Sequence, residues 1–141
     1  RKMTTPAVTP GKGVTLAVTV GTATVTIGQI ASLTAPGVTQ QVIDTTDLDQ
    51  TWDTVIGSIN RSTEMSGVLN WDASHTSHDD VWTCATSSTV RPYLVTFPNS
   101  GNSTQGFDGV MTKFEPTEAT PEGIVKVNFS VKPSGPISLT V

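Results

Sequence analysis

Hydrophobic and polar residues alternate with period two along several stretches of the chain. The clearest run is IVKVNFSVK at residues 124–132. Val125, Val127, Phe129 and Val131 share one side, and Lys126, Asn128, Ser130 and Lys132 share the other, as in a half-buried strand. GVTLAVTV (13–20) repeats the pattern with Val14, Leu16, Val18 and Val20. Gly21-Thr22 then predicts a tight turn into a hairpin partner, ATVTIGQIASL (23–33). In that partner Val25 and Ile27 share a parity that Ile30 breaks, which predicts a bulge at Gly28. Pro36-Gly37 marks a turn before the strand VTQQVID (38–44). Further strands are predicted at 58–71, 91–97 and 107–117. The closing ISLTV (137–141) is β-prone, apolar and uncharged, so it should not float free.

One segment departs from this period. Val81, Cys84, Ala85 and Ser88 fall at i, i+3, i+4 and i+7, predicting a helix over 76–88. Ser77 and Asp80 give an S-x-x-D start signal, and Asp79 and Asp80 suit the positive end of the helix dipole. Thr83, Thr86 and Ser87 are poor helix formers, so this helix must rely on packing against a sheet, with Trp82 covering a core edge. Residues 1–13, with Pro6, Pro10, Gly11 and Gly13, read as an extended N-terminal arm. Residues 44–58 read as a long loop, and long loops in compact domains carry function or motion. The sum is a mainly β fold: seven to nine strands in a β-sandwich or barrel with one packed α-helix. The body spans 14–135, and 136–141 form a C-terminal arm.

Composition strengthens this reading. Thr and Val supply 42 of 141 residues, and both are stiff, β-branched side chains suited to strands. Charge is segregated. Residues 1–43 carry three bases and no acid, residues 44–80 carry eight acids and one base, and the remainder balances. An acidic field of this kind argues against tight nucleic-acid binding, which needs Lys and Arg to displace counterions. No apolar run reaches the ~18 residues of a membrane span. The basic start lacks the apolar region of a signal peptide. The glycosylation sequons at Asn60, Asn102 and Asn128 read as coincidence.

Candidate chemistry is sparse. His75 and His78 with Asp79, Asp80 and Cys84 suggest a metal cluster, but the spacing matches no zinc pattern and both histidines read as solvated. Asp44, Asp47 and Asp49 offer oxygens for Ca²⁺ without the glycine and bidentate glutamate of an EF-hand. Cys84, the lone cysteine, forms no intrachain disulfide and reads as a solvated or lightly buried thiol. No nucleophile elbow, phosphate loop or acid–base constellation is present, so the chain reads as no enzyme and implies no cofactor.

The order of elements carries a resemblance. Ile43-Asp44-Thr45-Thr46 leads into the long loop, Thr96-Phe97-Pro98-Asn99 closes a strand, and Phe107-Asp108-Gly109-Val110-Met111 opens the next. Over residues 23–135 this sequence resembles the tail tube (major tail) proteins of long-tailed bacteriophages. The resemblance implies a structural virion protein made in the host bacterial cytoplasm, whose partners are copies of itself in stacked hexameric rings. Tape measure, distal tail and terminator proteins would join it. Genomic DNA would transit an acidic lumen without tight binding, since carboxylates repel phosphates. Asp44, Asp47, Leu48, Asp49, Trp52, Asp53, Val55 and Ile56 on the loop are the expected contacts between rings or subunits. Arg1, Lys2, Lys12, Ile137 and Leu139 on the arms join them. In the competing reading the loop folds back and Trp52 caps its own core. A different class remains open as well, a β-sandwich decoration or adhesion module of a virion.

Overall fold

Apolar residues facing alternately inward from both halves of a single curled sheet make the core. Leu16, Val18, Tyr93, Val95 and Phe107 meet Met65, Leu69, Met111, Val127, Phe129 and Val131 in one buried cluster. The computed structural model describes residues 11–72, 74–99, 101–117 and 119–141. Among them are ten strands and one helix. The strands are β1 (Thr15–Val20), β2 (Ala23–Ile27), β3 (Ile30–Thr34), β4 (Val38–Asp44), β5 (Val55–Ser62) and β6 (Met65–Asn70). After helix α1 (Thr76–Ser87) come β7 (Arg91–Thr96), β8 (Thr104–Pro116), β9 (Lys126–Pro133) and β10 (Ser138–Thr140). The mainly β fold with one packed helix is as expected.

Eight strands form an antiparallel sheet in the order β2-β1-β7-β8-β9-β6-β3, with β10 beside β8. The ends of this path, β2 and β3, are consecutive in the chain and separated only by Gly28 and Gln29. The sheet therefore curls back on itself and encloses the core. Strand β8 serves both halves. Its first residues pair with β7 and β10, and from Gly109 onward it pairs with β9, across a register shift between Met111 and Lys113.

The Gly28 region is a corner rather than a bulge. Gln29 takes a left-handed φ of 59°, and the chain leaves β2 to begin the strand at the far end of the sheet. The register shift lies further on, between Ile30 and Ser32. A corner leaves backbone groups without ladder partners, and buried ones must be satisfied. The first turn of α1 supplies them. Gly28 N–H donates to Ser77 Oγ at 3.2 Å, and His78 Nε2 donates to the Gly28 carbonyl at 3.0 Å. His78 Nδ1 accepts the Asp72 amide at 3.0 Å, which fixes the neutral tautomer.

His78 is thus fully buried, 0% exposed, and stacks on Trp71 at 5.5 Å. The expectation of two solvated histidines holds for His75 alone. His75 is the N-cap and accepts the Ser77 amide, so Ser77 sits one step inside the helix rather than at its start. Ser74 holds the Asp72 carboxyl below the usual range through its hydroxyl and amide, and Gln29 donates to the same carboxylate. Cys84 is buried in the core rather than solvated, and burial pushes its thiol up. Trp82 lies edge-on to Phe114 at 5.2 Å and remains about half exposed.

Residues 58–71, expected as one strand, are two. β5 ends at Ser62 and belongs to a separate two-stranded sheet with β4; β6 begins at Met65 in the main sheet. The break falls where Gly37 and Thr63 clasp each other. Gly37 N–H donates to Thr63 Oγ1 at 2.7 Å, and Thr63 N–H donates to the Gly37 carbonyl at 2.9 Å.

Candidate assembly surface

The β4–β5 pair forms a ribbon that shares a backbone ladder with no third strand among the described residues. Every residue from 38 to 61 is exposed. VTQQVID reads as a strand, yet no core lies beneath it. Ile43 stands opposite Ile56 on one face, and Val42 and Val55 lie on the other, beside Gly57 and Asp44. Side chains directly opposite share a face, so the ribbon is apolar on both. An isolated two-stranded ribbon is marginally stable in water. This one is tied down at its root by the Gly37–Thr63 clasp, by Gln105 Nε2 donating to the Pro36 carbonyl, and by Lys132 Nζ donating to the Ser62 carbonyl.

The long loop is shorter than expected. β5 starts at Val55, so the connection is 45–54 rather than 44–58, because Val55 and Ile56 pair across with Asp44 and Ile43. Its tip is ordered by its own polar groups. Asp44 Oδ1 accepts the Thr46 amide at 2.8 Å, and Asp47 Oδ1 accepts the Asp49 amide at 3.0 Å. Gln50 Oε1 accepts from the Asp47 amide and the Thr54 hydroxyl, while the Thr45 and Thr54 hydroxyls meet at 3.0 Å. The Thr46 hydroxyl and amide hold the Asp44 carboxyl below the usual carboxylate range; the amide makes the defined contact. Asp44 and Asp47 are therefore turn-makers, with both carboxylates still at the surface.

The structure gathers eight of the expected contact residues here: Asp44, Asp47, Leu48, Asp49, Trp52, Asp53, Val55 and Ile56. Leu48 is fully exposed and Trp52 is 83% exposed, so Trp52 does not cap the core. Lys12 lies apart, exposed ahead of β1, and Arg1 and Lys2 fall outside the described residues. The terminal segment 136–141, expected as an arm, contributes β10 to the body. Ser138, Leu139 and Thr140 pair with Gly106, Gln105 and Thr104. Ile137 packs on the core at the start of this segment, while Leu139 stays exposed.

Sequence reasoning did not single out Ile59, Arg61 and Lys132. They surround a cleft of about 550 Å³ at the ribbon root with Thr39, Asn60 and Pro136. Among the described residues the one ion pair is Lys113–Glu115 at 3.0 Å, so neither Arg61 nor Lys132 meets a carboxylate. The signal available in the sequence was Arg61 itself, the one base in the acidic segment 44–80. The His75/His78 cluster holds no metal-ready pair, since both nitrogens of His78 are engaged.

No protein-family model matches the chain, and no curated protein matches its sequence. Solved structures do resemble it in fold. A chain in the tail of an empty gene transfer agent particle, refined helically with C6 symmetry, aligns with a TM-score of 0.75 at 15% identity, covering 95% of this chain and 100% of that one. A chain in the sheath/tube terminator of an extracellular contractile injection system aligns at 0.73 with 10% identity, covering 99% and 100%. The SPP1 tail tube aligns at 0.65 with 11% identity, covering 92% and 78%. The fold is thus the one found in the tails and tubes of phage and phage-like particles, as the order of motifs implied.

Proposed function

We propose that this chain is the tube subunit of a phage-like tail, closing copies of itself into hexameric rings that stack around a hollow axis for DNA. One observation carries the reading: a ribbon exposed along its whole length, apolar on both faces, and braced only at its root. Such a surface is costly to leave in water, and each Val or Ile it buries against a neighbour contributes roughly 1.5–3 kcal/mol. The free edge of β10 offers backbone pairing to a neighbour, and a closed ring of sheets removes such edges. A ring closes by repeated use of two complementary patches, while an axial contact that does not close builds a filament. The role is structural, in a virion tail, with tape measure, distal tail and terminator proteins as further partners. The acidic excess suits a lumen that does not hold DNA.

Purified protein viewed by negative-stain microscopy over a concentration series tests this. Rings or tubes of uniform diameter are expected. A compact monomer at every concentration overturns the reading and favours the decoration or adhesion module.

A further inference from the structure

The ribbon is polarised along its length. Its tip carries Asp44, Asp47, Asp49 and Asp53, and residues 42–60 contain no base. Its root carries Arg61, with Lys132 beside it across the cleft, and neither has a carboxylate partner among the described residues. Apolar groups accompany each charge set. Leu48 and Trp52 are exposed at the tip, and Ile59 is exposed in the cleft beside Pro136. The two ends cannot meet within one chain. The 7 residues of β4, at ~3.3 Å each, hold them roughly 20 Å apart.

We propose that the acidic tip of one copy seats in the basic root cleft of the next. Asp49 and Asp53 approach Arg61 and Lys132, and Trp52 packs on Ile59 and Pro136. This rests on the tube reading and names the surface that receives the ribbon. The occupant is a second copy, because the two ends complement each other in both charge and apolar character. The contact is head-to-tail and does not close on itself, so it propagates along an axis. Exposed pairs are individually weak, but a ring repeats the contact once per subunit and the repeats multiply. Asp44 and Asp47 stay with the tip as its turn-makers.

Charge reversal tests this in the full chain. The Arg61→Glu/Lys132→Glu and Asp49→Lys/Asp53→Lys variants should each raise the concentration for half-assembly about tenfold or more, equivalent to ~1.4 kcal/mol per tenfold. The chain carrying all four changes should recover assembly. Sedimentation reads the assembled fraction, and thermal melting confirms that each variant folds. Since Lys132 also holds the Ser62 carbonyl, Arg61→Glu paired with Asp53→Arg repeats the cycle without touching that brace. Wild-type assembly by either double variant, or no recovery in the fourfold variant, overturns the cleft assignment while leaving the tube reading intact. A wild-type chain that never assembles overturns the tube reading itself.

Discussion

His78 shows how much one polar side chain can hold in a β fold. It satisfies the Gly28 carbonyl on one nitrogen and the Asp72 amide on the other, while its ring lies on Trp71. Removing it leaves two partly buried backbone groups unpaired, each costing about 1–3 kcal/mol. His78→Ala should therefore lower stability by about 2–4 kcal/mol in urea unfolding of the monomer, and His78→Gln, which can donate and accept, should recover part of that loss. Gly28→Ala belongs to the same corner, because an added Cβ would stand 3.1 Å from the His75 ring. Trp52 is the opposite case. Its side chain is exposed, so Trp52→Ala should leave the monomer's melting point unchanged and weaken association by about 2 kcal/mol, the scale of an interface anchor. A fallen melting point with intact assembly would place Trp52 in the subunit's own packing. The sequence shows Trp52 as an anchor candidate because an aromatic residue in an acidic loop stands out. It hides His78, because hydrophobic periodicity scores Ser77 and His78 as polar when they in fact begin the helix's buried stripe.

At the scale of elements, strands that alternate over a core are legible. The alternation of β1 and β9 names Leu16, Val18, Val127, Phe129 and Val131, all buried as expected. The helix is legible to within a residue at its end. Sheet membership is not. β4 reads as a strand and leaves the body with β5, whose first half reads as loop, and only three-dimensional pairing separates β5 from β6 at Thr63-Glu64. Gly28 announces an irregularity in the β2–β3 run without saying that the chain turns to the other end of the sheet there. The ribbon's independence is testable. Replacing residues 45–54 by Asn-Gly, a turn suited to a two-residue hairpin, should leave the cooperative unfolding of the body unchanged and abolish polymer growth. The tip also has a pH signature. The Asp44 carboxyl is held below its ordinary 3.8. A depressed folded value means its contribution is present above 3.8 and is lost as pH falls through the lowered value. Trp52 fluorescence should therefore report a loosening of the tip only in acid below that point.

At the scale of the whole molecule, the chain's last residues decide where the body ends. Their composition predicts an apolar, β-prone segment that seeks a partner, and the partner found is the chain's own β8, through Ser138–Thr140. A sequence names such a segment but not its partner, since an edge on the same subunit and one on a neighbour offer the same N–H and C=O groups. The arrangement leaves β10 paired on one side, with Leu139 exposed and Ile137 packed on the core. Removing residues 137–141 exposes the start of β8 and uncovers part of the cluster. A loss of about 1–3 kcal/mol is expected from the missing apolar contact, too little to unfold the rest of the sheet. Two outcomes then separate the roles of β10. If the truncated chain melts lower and still grows polymer at the wild-type threshold once folded, β10 is a closing strand of the subunit alone. If the threshold rises by more than the stability loss explains, as the ring reading expects, its open edge is also where the neighbouring subunit attaches.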